Sequence, residues 1–257
     1  MKLVFLGTGT SVGIPVIGCQ CRVCTSRDAL NFRRRPSLYV EAEGTHLVID
    51  TPPDFREQVL TFGVPRVDAV LMTHSHADHI FGLDDIRRFN TLQEQVIPVY
   101  ASPGTMEDLK RVYNYVYGGP PQEGLYRPEL CFEAVRAPFA VGTVRVEPLP
   151  VEHGANETLA FRLEAGGRTA GYAPDCHVMP PETRARFRGV DVMILDALRH
   201  RPHPTHLTVE ASLRLLREIG AGRSYLTHLC HDLDHRETQA ALPPSVAVAY
   251  DGLTVEW

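Results

Sequence analysis

Three imidazoles and a carboxylate fall within six positions, His74-Ser75-His76-Ala77-Asp78-His79, directly after the apolar run 67–72. A polar cluster this dense, behind a strand that reads as buried, must be satisfied by something other than bulk water, because unpaired polar groups inside a fold are costly. Any fold for this chain therefore has to bring further partners to the end of that strand. Alternation along an extended segment puts His74 and His76 on one side, and a turn into a helix sends Asp78 and His79 to another. That split suits two metal ions sharing one site, each taking nitrogen and oxygen ligands.

Two cations need more than four ligands, and candidates stand at the ends of other β-rich runs. His153 follows residues 147–151, Asp175 follows 168–173, and His228 follows 223–226. Any one of them alone reads as a surface or capping residue. Three in equivalent places beside the His-x-His-x-Asp-His run read as ligands.

Strand-like runs recur at 2–7, 37–42, 45–50, 68–73, 97–101, 141–147, 158–164, 168–173, 191–196, 223–227, 245–250 and 254–257. They are bounded by Gly, Pro, Asn and Asp, as strand ends are. Glu43-Gly44 and Gly166-Gly167 sit between paired runs at hairpin spacing, and Asp251-Gly252 is expected to turn the last pair. Helical spacing appears at 54–62, where Asp54 can cap the first turn, and at 82–91. It is clearest at 209–219, where Val209, Leu213, Leu216 and Ile219 form one stripe behind a Thr208 cap. The mixture predicts two sheets flanked by helices, an α+β or layered α/β fold. No repeat or linker interrupts it, so a single domain over residues 1–257 is expected. Residues 118–124 (Gly-Gly-Pro-Pro-Gln-Glu-Gly) cannot be regular structure and read as a long loop able to serve as a lid.

At 257 residues, 44% hydrophobic and 22% charged, the chain can bury a core without staples, which excludes disordered and fibrous classes. A net charge of −5 removes any global attraction to nucleic acid or anionic membranes. No apolar run nears the roughly 18 residues of a membrane span. The apolar residues 3–6 are too few for a secretory core, so a cytoplasmic protein is expected. In that setting the Asn156-Glu157-Thr158 sequon carries no meaning, and the cluster Cys19, Cys21, Cys24 points to metal or redox chemistry rather than disulfides.

The run 73–79 together with His153, Asp175 and His228 resembles the metallo-β-lactamase superfamily of binuclear hydrolases. The likeness extends over essentially the whole chain, from the Phe5-Leu6-Gly7-Thr8-Gly9 opening onward. It implies a four-layer αββα sandwich with the site at the shared edge of two sheets. Carried over position by position, His74, His76 and His153 hold one cation, Asp78, His79 and His228 hold the other, and Asp175 bridges both. Two divalent cations against two aspartates leave a positive site. A water they share ionises near pH 7 and becomes the attacking hydroxide. Such a site in a chain of net charge −5 favours a compact anion, such as a phosphodiester, over a long polyanion.

Cys19-x-Cys21-x-x-Cys24 offers three thiolates on one loop, and a tetrahedral zinc needs a fourth ligand. His231, three residues beyond His228, is assigned that place, giving a structural zinc with no open position. A thioredoxin-like reading of Cys21-x-x-Cys24 leaves Cys19 unexplained and lacks a βα context. Cys131, Cys176 and Cys230 are expected to be core thiols.

A Cys-x-Cys-x-x-Cys loop, with a histidine three residues after the last metal-site histidine, resembles the PhnP-type phosphodiesterases. These are cyclic-phosphate hydrolases acting on 5-phosphoribosyl 1,2-cyclic phosphate. Gly18-Cys19-x-Cys21, Leu149-Pro150-x-x-His153, Leu226-Thr227-His228-x-x-His231 and Tyr250-Asp251-Gly252 all fit that pattern. The likeness implies that His206 faces the substrate and protonates the leaving oxygen, a task that suits imidazole. There are departures: His177 stands where a small hydroxyl residue is usual, and the histidine-rich loop 200–206 lets His203 compete with His206. The expected ligand is a small phosphorylated sugar or nucleotide. Zinc and manganese are both admissible in the catalytic pair, and a homodimer is compatible with the sequence.

Two rivals are weaker. A tRNA 3′-end nuclease of the same superfamily would carry a protruding basic arm to grip RNA, and none is visible. A non-catalytic PqqB-like protein of cofactor biosynthesis shares a cysteine-bound zinc but lacks parts of the His-x-His-x-Asp-His set, whereas all seven ligand positions are filled here. Arg33-Arg34-Arg35 reads as a solvated strand edge ahead of a phosphate patch. Tyr113, Tyr115, Tyr117 and Tyr126 read as core or dimer packing. Gly7-x-Gly9-x-x-x-Gly13 is one residue too long for a dinucleotide fingerprint.

Overall fold

A computed structural model describes residues 1–117 and 126–257; the loop expected at 118–124 therefore lies outside the described residues. Among the described residues the strands form two seven-stranded sheets. The first holds β1 (Lys2–Gly7), β2 (Ser37–Ala42), β3 (Thr45–Ile49), β4 (Ala69–Leu71), β5 (Ile97–Ala101) and β6 (Leu130–Ala134). The second holds β7 (Phe139–Val141), β8 (Val144–His153), β9 (Asn156–Ala165), β10 (Arg168–Ala173), β11 (Val192–Asp196), β12 (Arg223–Thr227) and β13 (Val246–Val248). The last strand, β14 (Thr254–Glu256), returns to the first sheet beside β1. Each sheet is half antiparallel and half parallel: β3 to β6 run parallel in one, β10 to β13 in the other.

The helices are α1 (Phe55–Phe62), α2 (Ala77–Ile80), α3 (Arg87–Gln93), α4 (Pro103–Val112), α5 (Asn114–Tyr117), α6 (Pro181–Phe187), α7 (Val209–Ile219) and α8 (His235–Ala241). Three apolar clusters separate the layers. Leu3, Phe5, Val40, Phe161 and Ile194, drawn from both sheets, fill the space between them. Phe55, Ile86, Phe89 and Leu109 seat helices on the outer face of the first sheet, and Phe187, Leu216 and Ile219 do so on the second. The order helix, sheet, sheet, helix is the expected αββα sandwich. No helix among the described residues is long and apolar enough to cross a membrane.

Local chemistry explains the elements that place the site. β4 is wholly buried and wholly apolar, as a central parallel strand must be. The β2–β3 turn uses Glu43 and Gly44, both at positive φ, which matches the twist of a tight hairpin. In α7 the Thr208 hydroxyl accepts from the Ala211 amide at 3.1 Å, and Gly220 closes the helix at φ 65°. Gly7 is required by close approach, because a Cβ there would lie 1.9 Å from the Arg35 carbonyl oxygen.

Several expectations are corrected. Asp54 precedes α1 but does not cap it; its carboxylate accepts from the Arg35 amide and guanidinium instead, each at 2.9 Å. Asp251-Gly252 closes no hairpin, since β13 and β14 lie in different sheets. The 82–91 helix is a 3₁₀ turn at Leu83–Ile86 running into α3. The expected strand 141–147 is two strands around Gly142, and the second continues to His153. The arginine run is neither a solvated edge nor a phosphate patch. Arg33 is buried and donates to the Cys230 and Leu233 carbonyls, Arg34 pairs with Glu57 and Asp251, and Arg35 pairs with Asp54. Cys131 is exposed rather than a core thiol, whereas Cys176 and Cys230 are buried. Of the four tyrosines only Tyr113 is core, donating to the Ile80 carbonyl; Tyr115, Tyr117 and Tyr126 are exposed.

Candidate metal centre

The ends of β4, β8, β10 and β12 converge between the two sheets. β4 ends at Leu71, and the chain then delivers His74 and His76 in extended form before α2 brings in Asp78 and His79. His153 is the last residue of β8, Asp175 stands just beyond β10, and His228 follows β12 directly. Except for the exposed His76, all of these side chains are buried.

Two groups of donor atoms form. His74 Nε2 lies 2.8 Å from His76 Nδ1, which lies 3.3 Å from His153 Nε2. Asp78 Oδ2 lies 3.4 Å from His79 Nε2 and 3.7 Å from His228 Nε2. Asp175 stands between the groups: Oδ1 is 3.6 Å from His153 Nε2 and 3.3 Å from His228 Nε2, and Oδ2 is 3.2 Å from His79 Nε2. The seven sequence-predicted side chains thus meet in one pocket.

The pocket fits cations. His79 Nε2, His228 Nε2 and Asp175 Oδ2 are buried without a hydrogen-bond partner, although both rings stand 3.2–3.3 Å from the Asp175 carboxylate. A shared cation would satisfy all three. The charges agree. Burial opposes ionisation of Asp78 and Asp175, but the His79 and His228 imidazoles outweigh it and hold both carboxyls below the usual range. Burial pulls the His79 ring down, yet Asp175, Asp50 and Asp78 together hold it above its ordinary value. Surroundings that stabilise an imidazolium stabilise a cation in its place. His74 and His153 face the other way: burial keeps His74 well below its ordinary value and lowers His153 to about 4, leaving both neutral as ligands require.

Behind the ligands stands a layer that fixes their rings. Asp50 Oδ2 lies 2.8 Å from His79 Nδ1 while its carboxylate accepts from the Thr73 amide and hydroxyl. The Thr205 carbonyl holds His153 Nδ1 at 2.8 Å. Asp196, the last residue of β11, lies 2.8 Å from His206 Nδ1 and accepts from the Cys176 amide. His206 Nε2 faces the pocket, 3.9 Å from Asp175 Oδ1, with its ring stacked on His228. Burial and the neighbouring His228 bring His206 down to about 3, and burial raises Asp196. His203 packs on His206 with its own Nδ1 accepting from the Thr205 amide, and exposed His177 reaches the His206 carbonyl through Nδ1. Asp50 and Asp196 were missed in the sequence; the available signal was an aspartate closing an otherwise apolar strand.

A second cluster lies beside the first. Cys19, Cys24 and Cys21 place their sulfurs 3.3, 3.5 and 3.8 Å from His231 Nδ1, and all four donors lie within 4.8 Å of one another. No open donor position remains in a four-ligand set of this kind.

Two sheets meeting over a histidine and aspartate pocket define a metal-dependent hydrolase of the metallo-β-lactamase fold. The beta-lactamase superfamily domain matches residues 45–229, and the chain belongs to that superfamily. Within it the likeness is to the PhnP family. The crystal structure of a new diphosphatase from that family superposes with a TM-score of 0.91 at 38% identity, covering 100% of this chain and 96% of its own. An octanoyltransferase of Porphyromonas gingivalis (strain ATCC BAA-308 / W83) is 36% identical over 98% of this chain, which spans only 51% of that relative's length. Zn²⁺-bound PqqB from Methylobacterium extorquens shares the fold, with a TM-score of 0.81 at 23% identity and 100% coverage of both chains.

Proposed function

We propose that the protein hydrolyses a small phosphodiester, with a cyclic ribose phosphate such as 5-phosphoribosyl 1,2-cyclic phosphate as the substrate of choice. One observation carries this reading: six further ligand side chains surround Asp175 to complete a set of seven, and the backed ring nitrogen of His206 stands 3.9 Å from that carboxylate. His74, His76 and His153 would hold one divalent ion, and Asp78, His79 and His228 the other, with Asp175 touching both. The Cys19, Cys21, Cys24 and His231 cluster would hold a structural zinc. When bound, zinc or manganese ions in the pocket supply charge for the phosphoryl oxygens and acidify a nearby water.

The chain's own residues do the rest. Asp50 and the Thr205 carbonyl keep the His79 and His153 rings turned inward. The buried Asp196 carboxyl, raised so that it keeps its proton, donates to His206 Nδ1 and leaves the neutral ring's proton on Nε2; that proton passes to the departing sugar oxygen as Nδ1 takes up the one from Asp196. Buried Asp78 and Asp175 stay ionised and bias the pocket toward cations. A diphosphate linkage is the second reading, favoured by the likeness to the 38% identical diphosphatase; it needs the same groups.

The test is metal analysis of the purified protein alongside turnover of a chromogenic phosphodiester, a 2′,3′-cyclic nucleotide, the cyclic ribose phosphate and a dinucleoside diphosphate. Two ions for the pocket and one for the cysteine cluster, with diester turnover, are expected. Turnover of the diphosphate alone would favour the second reading. Metal in the cysteine cluster only, without turnover, would move the protein to the PqqB-like binding class.

A further inference from the structure

His76 is the one pocket ligand that the fold leaves exposed, so burial does not hold its ring. The outer nitrogens of His74, His79 and His153 are pinned by Thr73, Asp50 and Thr205. His76 is turned the opposite way. Its Nδ1 faces His74 and His153, so Nε2 is the outer nitrogen, and Asn156 Nδ2 lies 2.5 Å from it, at an amide end that half a turn about the last side-chain bond exchanges with Oδ1. Asn156 opens β9 and pairs directly with His153 across the β8–β9 turn. One tight turn therefore supplies a pocket donor and the group that meets its neighbour.

We propose that Asn156 is a positioning residue for His76, setting the tautomer in which Nδ1 presents its lone pair to a cation. This rests on the reading of the pocket as a cation site. A neutral imidazole carries one N–H. If Nδ1 is to be a ligand, the proton sits on Nε2 and must find an acceptor. The amide of Asn156 has one acceptor, Oδ1, and its oxygen and nitrogen exchange places by rotation about the last side-chain bond. With Oδ1 toward His76, Asn156 accepts the Nε2–H and Nδ1 is free to coordinate. With Nδ2 toward His76, Asn156 donates, the ring proton moves to Nδ1, and coordination is lost. The sequon Asn156-Glu157-Thr158 thus has a role unconnected with glycosylation. Its asparagine holds an exposed ring whose freezing otherwise costs entropy.

The experiment measures Zn²⁺ affinity of chelator-treated full-length protein by competition with a chromophoric chelator, for the parent, Asn156→Ala and Asn156→Asp. Cobalt absorption spectra report the pocket geometry, and unfolding midpoints of the metal-free proteins report folding. Asn156→Ala is expected to weaken one pocket ion by about 10–100-fold. Asn156→Asp, whose carboxylate accepts the same N–H, should stay close to the parent, and all three metal-free proteins should melt together. Undiminished Zn²⁺ uptake by Asn156→Ala overturns the proposal. So does an Asn156→Asp protein that loses as much affinity as Asn156→Ala, since the role would then be packing. A parent that takes up no Zn²⁺ in the pocket overturns the cation reading and this proposal together.

Discussion

Asp50 and His228 share a backbone conformation that side chains with a Cβ rarely adopt, with φ of 64° and 59°. Such left-handed residues cost about 1–3 kcal/mol each and persist where the surroundings over-determine them. Here the strain coincides with the pocket: Asp50 leaves β3 sharply enough to reach His79, and His228 leaves β12 sharply enough to reach Asp78 and Asp175. His206 has no such strain and depends instead on Asp196, which fixes the ring without entering the pocket. Its assignment as proton donor is therefore separable from metal binding. His206→Ala is expected to lower kcat on the diester by about 10²–10⁴ while pocket metal content stays at that of the parent. His203→Ala, altering a ring whose Nδ1 is occupied by the Thr205 amide, should turn over within a few-fold of the parent. Steady-state kinetics with metal analysis of both variants decides the matter; a large loss in His203→Ala with none in His206→Ala would transfer the role to His203.

The loop segments around β1 and β14 are held by buried charges rather than by sheet pairing. Arg33 reaches the Cys230 and Leu233 carbonyls on either side of His231, so its buried guanidinium ties the segment before β2 to the segment after β12. Burial lowers Arg33 to about 10, still far above neutrality. Asp251, in the turn before β14, accepts from the Thr8 amide and hydroxyl and from the Arg34 amide and guanidinium. Despite those donors, burial pushes its carboxyl up to about 6. An acid whose folded value lies above the unfolded 3.8 favours the fold when protonated. That contribution is complete below pH 3.8 and is lost as pH rises through 6. Two units correspond to roughly 3 kcal/mol. In urea unfolding between pH 4 and 6.5, the stability of the parent relative to Asp251→Asn should fall by about that amount as pH rises. A difference that stays flat or grows with pH would show Asp251 ionised throughout.

At the scale of the whole molecule, the legible parts were those written in short range. The run 74–79 announces a polar cluster on its own, and His153, Asp175 and His228 each end a β-rich run, so their meeting could be argued before the fold was known. The sandwich itself came from resemblance, since alternation in separate strands does not say which sheet each joins; Asp251-Gly252, read as a hairpin, crosses between sheets. Arg33 was illegible because its burial depends on carbonyls nearly 200 residues away. The short β6 lacks clean alternation, its residues being half or fully exposed. What unites the two halves is the pocket, fed by β4 from one sheet and by β8, β10 and β12 from the other, with its buried carboxylates facing imidazoles across the gap. Cations binding there join the sheets and should stabilise the whole fold. One site filled at a thousand times its Kd adds about 4 kcal/mol, and in a chain of this size each kcal/mol moves Tm by roughly 2–4 °C. Chelation should therefore lower the calorimetric midpoint by about 8–16 °C per pocket site, with recovery on adding Zn²⁺ or Mn²⁺. A midpoint indifferent to both treatments would mean that the carboxylates and imidazoles neutralise one another without any resident ion.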